Sequence, residues 1–142
     1  MAQALRILGI DPGMRNIGVA LMLYSPGVAA ELLDLRLITT KDEKKKRGLR
    51  QKADDLRCLE HIRDEMRVIS RTWGYDVVAF EECPSGGLGK IAIRKVALSW
   101  GTCWSLLTAK PGILSFDYMP VDLKRCVTGS PRASKVEMVT AL

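Results

Sequence analysis

An α/β fold is predicted by two short apolar runs that each end in an acid, with segments of helical periodicity between and after them. Residues 5–10 run into Asp11, and residues 77–80 run into Glu81 and Glu82. Such short apolar runs, bounded by turn residues, are typical of strands buried on both faces. Their alternation with helical patterns favours a sheet flanked by helices.

The first part of the chain predicts three antiparallel strands. The run at 5–10 stops at an Asp-Pro-Gly turn, residues 11–13. Two further strand candidates, 17–24 and 30–39, are separated by a Ser-Pro-Gly turn at 25–27. A meander that delivers Asp11 at the tip of its first strand is expected.

Two longer segments predict helices that pack on this sheet. In residues 47–73 apolar side chains recur at spacings of three and four, and Gly74 ends the pattern. Residues 90–109 contain 12 apolar side chains among 20, including Trp100 and Trp104. One core-facing stripe needs fewer, so a second buried face and a homodimer are expected.

The remaining segments predict short elements of the same domain. Residues 113–119 read as a strand, 120–126 as a helical turn and 134–142 as the opening of another helix. The chain shows no internal repeat or domain linker. A single domain over residues 1–142 is therefore expected, with 47% hydrophobic residues to fill one core.

Composition excludes several classes of protein. No run of 18 apolar residues is present and the start lacks a signal-peptide pattern, so a soluble intracellular protein without a membrane partner is expected. The widely spaced cysteines and the lone histidine predict reduced, mostly buried thiols and a structural imidazole instead of a zinc site. These residues are Cys58, Cys83, Cys103, Cys126 and His61.

Positive charge is concentrated in two regions of a chain with net charge +6. Residues 41–52 hold seven bases against two acids, and residues 83–142 hold eight against three. This distribution favours a polyanionic partner. For residues 41–52 alone, a solvated face or a loop explains the charge equally well.

Asp11 and Glu81 are candidate metal ligands. Both follow buried strands at the carboxyl edge, where open α/β sheets gather their active sites. Two carboxylates brought close together repel unless they share a proton or bind a cation, and hard oxygen ligands suit Mg²⁺ or Mn²⁺. Taken singly, Asp11 is better explained by its Asp-Pro-Gly turn and Glu81 by a solvated strand end.

Four segments in order resemble RuvC-type Holliday-junction resolvases over nearly all of the chain. The opening Leu8-Gly9-Ile10-Asp11-Pro12-Gly13 is followed by Asn16-Ile17-Gly18-Val19-Ala20. Residues 76–82 resemble the family's second catalytic strand. The segments Val121-Asp122-Leu123-Lys124, Val127-Thr128-Gly129-Ser130 and Ala133-Ser134-Lys135 resemble its lysine-bearing stretch.

The resemblance implies a ribonuclease-H-like fold with a mixed five-stranded sheet flanked by helices, and a homodimer that cuts four-way DNA by paired nicks. It implies two Mg²⁺ ions per site, or Mn²⁺, held by Asp11 and Glu81. Lys124 would join the catalytic set, with Lys135 at the phosphates. The resemblance also implies the cytoplasm of a bacterial or phage-infected cell.

Five basic residues are candidates for DNA binding, and each has a simpler explanation. Lys124, Arg94, Lys95 and Arg125 are also explained as solvated helix residues, while Lys135 lies inside a Ser134-x-x-Glu137 capping box.

Two departures from the family pattern matter. The family carries further acids on a C-terminal helix, whereas this sequence ends at Leu142, so a truncated domain is expected. A junction-binding module that does not cut therefore remains open. The aromatic residue that some relatives place after the catalytic glutamate is replaced here by the segment at 83–87.

Other functions are compatible with parts of the pattern. A related nuclease on flaps, forks or structured RNA stays open, because basic residues read the phosphate backbone without specifying its geometry. An actin-like ATPase fragment also begins with a strand and an acid, but that family needs a second half. A phosphate-binding loop at 85–90 is rejected, because Pro84 and Ile91 break its motif.

Overall fold

Five strands form one mixed sheet in the computed structural model, which describes residues 3–40, 51–82 and 89–141. The strands and helices of this part of the chain are β1 (Leu5–Asp11), β2 (Asn16–Tyr24), β3 (Glu31–Thr39), α1 (Gln51–Thr72), β4 (Val77–Glu81), α2 (Lys90–Leu107), β5 (Leu114–Tyr118), α3 (Pro120–Thr128) and α4 (Lys135–Thr140). The strands are ordered β3-β2-β1-β4-β5.

The sheet combines the predicted antiparallel meander with a parallel half. β1 pairs antiparallel with β2, and β2 with β3, while β1, β4 and β5 run parallel. Because the two halves share β1, its carboxyl end lies in the middle of the sheet edge. The mixed five-stranded architecture expected from the sequence is thereby confirmed.

One face of the sheet packs against α1 and α2. Alternate strand residues point to this face, including Leu8 and Ile10 of β1 and Val78 and Phe80 of β4, and all four are buried. The two helices contribute further core residues, namely Cys58, Ile62, Met66, Ile69, Cys103 and Leu107. Because side chains alternate between the two faces of a strand, Asp11 and Glu81, which follow Ile10 and Phe80, point to the face opposite the core.

Two predicted boundaries need correction. The helix predicted from residue 47 is described only from Gln51. The helical turn predicted at 120–126 is the helix α3, which ends at Thr128 and is capped by Gly129 in the left-handed conformation. Cys58 and Cys103 are buried and Cys126 is exposed, in line with the expectation that most of the thiols are buried. Cys83 lies outside the described residues.

The helix α2 keeps an apolar outer side, as its composition predicted. Ile91, Leu98 and Trp104 are 63%, 40% and 42% exposed. Between α2 and α1 lies a shallow groove of about 290 Å³, lined by apolar and charged side chains: Lys52, Asp55, Leu56, Leu59, Arg94 and Leu98. Within the described ranges, no helix is both long and apolar enough to span a bilayer.

Candidate active site

The carboxyl groups of Asp11 and Glu81 meet at one edge of the sheet. Asp11 ends β1 and Glu81 ends β4, and the parallel pairing of Ile10 with Phe80 puts the acids at neighbouring positions. Both side chains lie on the face opposite the core, close enough that Asp11 raises the pKa of the Glu81 carboxyl. The structure therefore brings together the two acids that the sequence singled out.

Burial raises the pKa of the Glu81 carboxyl above its ordinary value, and the negative charge of Asp11 and the hydrogen bond to it raise the pKa further. The positive charge of Lys135 acts in the opposite direction. A carboxylate pair of this kind is stabilised by a shared proton or by a bound cation. Its two hard oxygen donors fit Mg²⁺ or Mn²⁺.

Glu81→Gln should raise the melting temperature of the metal-free protein near neutral pH, on the order of 2–4 °C. The raised pKa of Glu81 means that its ionisation is disfavoured in the folded state, so stability is lost as the pH rises above the ordinary pKa of a glutamate. The neutral amide removes this cost. Thermal denaturation at acid and neutral pH measures the effect, and an equal gain at both would contradict the electrostatic explanation.

The turn after Asp11 is fixed by its own backbone and by two hydroxyl groups. A Cβ at Gly13 would lie 2.4 Å from the carbonyl oxygen of Asn16, so only glycine fits there. Ser99 Oγ donates to the Gly13 carbonyl at 3.1 Å, and Thr40 Oγ1 donates to the Met14 carbonyl at 2.9 Å. These contacts tie the end of β1 to α2 and to the end of β3.

Of the two candidate lysines, Lys135 is the one whose charge reaches the acids. It opens α4 behind the Ser134–Glu137 capping box, which is present as the sequence indicated, and it lowers the pKa of Glu81. Lys124 lies half-buried on α3. Within the described residues, its ammonium group makes no hydrogen bond or ion pair.

The other candidate DNA-binding residues make ion pairs within the protein. Arg94 lies 3.0 Å and Lys95 3.2 Å from the carboxylate of Asp55, whose side chain is only 6% exposed. The Lys95 contact falls short of hydrogen-bond geometry. Arg125 pairs with Asp122 at 3.3 Å. Arg94 and Lys95 therefore neutralise a buried acid and join α2 to α1, a role that the sequence did not reveal.

Part of the predicted basic surface cannot be placed. Residues 41–50 and the segment at 83–88 lie outside the described residues, and Lys52 is exposed in the first turn of α1. His61 is exposed on the same helix.

Tyr118 is a site residue that the sequence analysis missed. It ends β5 directly opposite Glu81 in the parallel register. Burial raises the pKa of its phenol to about 12, and the negative charges of Glu81 and Asp11 contribute. The only sequence signal was its position at the end of a predicted strand. Here and elsewhere, the described residues hold no group of three or more His, Cys, Asp or Glu side chains.

Comparisons with known proteins agree with this arrangement. A family model described as crossover junction endodeoxyribonuclease RuvC matches residues 7–142. A protein of that description from Caldicellulosiruptor saccharolyticus is 30% identical over 135 residues, covering 94% of this chain and 74% of the relative. One from Parafrankia sp. is 30% identical over 143 residues, covering 97% and 73%.

The fold is also similar to a solved structure. The chain aligns with T. thermophilus RuvC in complex with Holliday junction substrate at a TM-score of 0.75 and 20% identity. The alignment covers 96% of this chain and 76% of that chain. At this level of identity the match shows a shared fold.

Proposed function

The chain belongs to the RuvC family of crossover junction endodeoxyribonucleases, and we propose that it cuts four-way DNA at the carboxylate pair of Asp11 and Glu81. The fold is ribonuclease-H-like, as expected. The pairing of two acids on adjacent parallel strands is the observation that carries the proposal. Such a pair is the ligand chemistry that phosphodiester hydrolysis at a metal centre requires.

Asp11 and Glu81 would hold Mg²⁺, with Mn²⁺ as a substitute and two ions per complete site. Bound there, the metal would supply an activated water and stabilise the leaving oxygen. The protein's own contribution is to hold both acids on rigid strands at the sheet edge. The turn at 11–13, fixed by Ser99, keeps Asp11 in place.

The phosphate side of the site would be formed by lysines. Lys135 is near enough to Glu81 for its charge to lower the pKa of that carboxyl, and the same charge would attract the phosphate that is cut. Lys124, on α3, would bind the same strand farther along. Three other basic residues remain candidate contacts to the DNA backbone: Arg125, Arg94 and Lys95. Arg94 and Lys95 would have to give up their ion pairs with Asp55 to make such contacts.

Cleavage of a labelled four-way junction in Mg²⁺ tests the function. We expect two symmetric nicks near the crossover, and at least about tenfold slower cutting of a linear duplex of the same sequence. If flaps or forks are cut as fast as the four-way junction, the substrate would be branched DNA in general. Cutting of the duplex alone would contradict the proposal.

Paired nicks require two sites, and we propose that the protein is a homodimer built on the outer side of α2. Ile91, Leu98 and Trp104 expose apolar surface there, and apolar surface on a helix that already packs on the core is typical of a subunit interface. Light scattering at micromolar concentration should give twice the mass of one chain. Leu98→Glu should give the monomer, whereas Val28→Glu, at a turn residue that is 67% exposed and lies away from α2, should not. A monomeric wild type would contradict the proposal.

A junction-binding module that does not cut is the second candidate. It is favoured by one observation, namely that the described residues bring together two carboxylates and not three. The cleavage assay distinguishes it, because such a module would bind the four-way junction tightly in Mg²⁺ and leave it intact. In either case we place the protein in the cytoplasm of a bacterial or phage-infected cell, where its DNA substrate lies.

A further inference from the structure

The carboxylate pair has different neighbours on its two flanks. Across the sheet edge, Asp11 is paired with Gly18 on one side, and Glu81 is paired with Tyr118 on the other. All lie in one row, so their side chains share the face opposite the core. Gly18 offers no side chain there, whereas Tyr118 places an aromatic ring and a hydroxyl beside Glu81. The acids are thus bounded on one flank by a phenol.

The Tyr118 hydroxyl has no hydrogen-bond partner within the described part of the chain. Tyr118 is paired with Glu81 in the parallel register, and both acids are near enough for their charges to affect the phenol. A neutral donor beside an acidic pair is suited to an anionic acceptor that the acids themselves would repel. The scissile phosphate is such an acceptor.

Tyr118 is also rigidly placed. Its strand pairs with β4 along five positions from Leu114 to Tyr118, and its carbonyl accepts a hydrogen bond from the Glu82 amide at 2.9 Å. Donors held in place before the reaction are the ones that stabilise developing charge most effectively.

We propose that Tyr118 is a further catalytic residue, whose hydroxyl donates a hydrogen bond to a non-bridging oxygen of the phosphate being cut. The inference rests on the proposed function. No bond to the phenol forms or breaks, and its proton stays on the oxygen throughout. The hydrogen bond strengthens as negative charge accumulates on the phosphate, so it acts on the rate more than on binding.

Tyr118→Phe removes the hydroxyl and keeps the ring. We expect the single-turnover rate on a four-way junction to fall roughly 10- to 100-fold, at the lower end of the effect of losing one transition-state donor. Junction affinity in Ca²⁺ and the Mg²⁺ concentration that gives half the maximal rate should stay within about twofold. Tyr24→Phe, at a partly exposed tyrosine far along β2, is the matched control and should leave the rate unchanged.

A sulfur substitution in the DNA gives a second measurement. Replacing one non-bridging oxygen of the scissile phosphate by sulfur weakens it as an acceptor. The stereoisomer that slows the wild type should therefore slow Tyr118→Phe less. Equal slowing of both proteins by both stereoisomers would overturn the proposal.

Three further outcomes are decisive. If Tyr118→Phe cuts as fast as the wild type while Asp11→Asn is inactive, the inference fails and the proposed function stands. If the rate of Tyr118→Phe recovers at saturating Mg²⁺, the phenol positions Glu81 and does not contact the phosphate, which also overturns it. If Asp11→Asn cuts like the wild type, the proposed function itself fails.

Discussion

Asp11→Asn is expected to reduce junction cleavage in Mg²⁺ by at least roughly 10³-fold, while junction affinity changes by about twofold or less. The carboxylate would hold a cation that lowers the barrier only when charge develops on the attacked phosphate. Binding comes chiefly from lysines and arginines spread over a larger surface. Single-turnover rates and electrophoretic binding in Ca²⁺ separate the two effects.

Glu81→Gln should have the same effect, and the neighbouring Glu82 supplies a matched control. Glu81 faces Asp11, whereas Glu82 is exposed and lies beyond the end of β4. Glu82→Gln should therefore cut at a rate near that of the wild type. If Glu82→Gln is inactive and Glu81→Gln cuts, the wrong acid has been assigned. If neither change matters, the metal-dependent nuclease mechanism is wrong.

The sheet and its acid pair could be predicted because both depend on local patterns. An apolar run between turn residues specifies a buried strand, and the residue after it falls at the carboxyl edge by necessity. To predict that Asp11 and Glu81 lie close together, one further assumption was enough, namely that β1 and β4 are adjacent and parallel. That adjacency is present in the register of Ile10 with Phe80.

The surroundings of the pair could not be predicted, because they depend on pairings between distant segments. Tyr118 becomes a neighbour of Glu81 only through the β4–β5 register, which no local pattern specifies. Asp55 is likewise met by Arg94 and Lys95 only through the packing of α1 on α2. The sequence shows that Arg94 and Lys95 are basic, but only the structure shows that both form ion pairs with Asp55.

The sequence also could not show which of the two lysines, Lys135 or Lys124, acts on the acid pair. Both were assigned to DNA by resemblance, and both stand in helices that follow β5. Only Lys135 acts electrostatically on Glu81. Its place at the start of α4 follows from the capping box, which orients the first turn of that helix.

Lys135→Ala is expected to slow single-turnover cleavage roughly 10- to 100-fold, because one cation beside the reacting phosphate is lost. In the metal-free protein the change should also raise the pKa of Glu81 further, since the positive charge of Lys135 favours the ionised carboxylate. Carboxyl NMR titration measures that pKa directly.

Two further variants test whether the charge of Lys135 causes the changes in cleavage rate and in the Glu81 pKa. Lys135→Arg keeps the charge and should restore the Glu81 pKa and most of the rate. Lys124→Ala should weaken cutting and ground-state binding together, because a cation that grips the strand attracts the substrate as well as the transition state. It should leave the Glu81 pKa unchanged, since no interaction joins Lys124 to that carboxyl. A Glu81 pKa that is equal in the wild type and in Lys135→Ala would show that Lys135 does not lie where it can act on the acid pair.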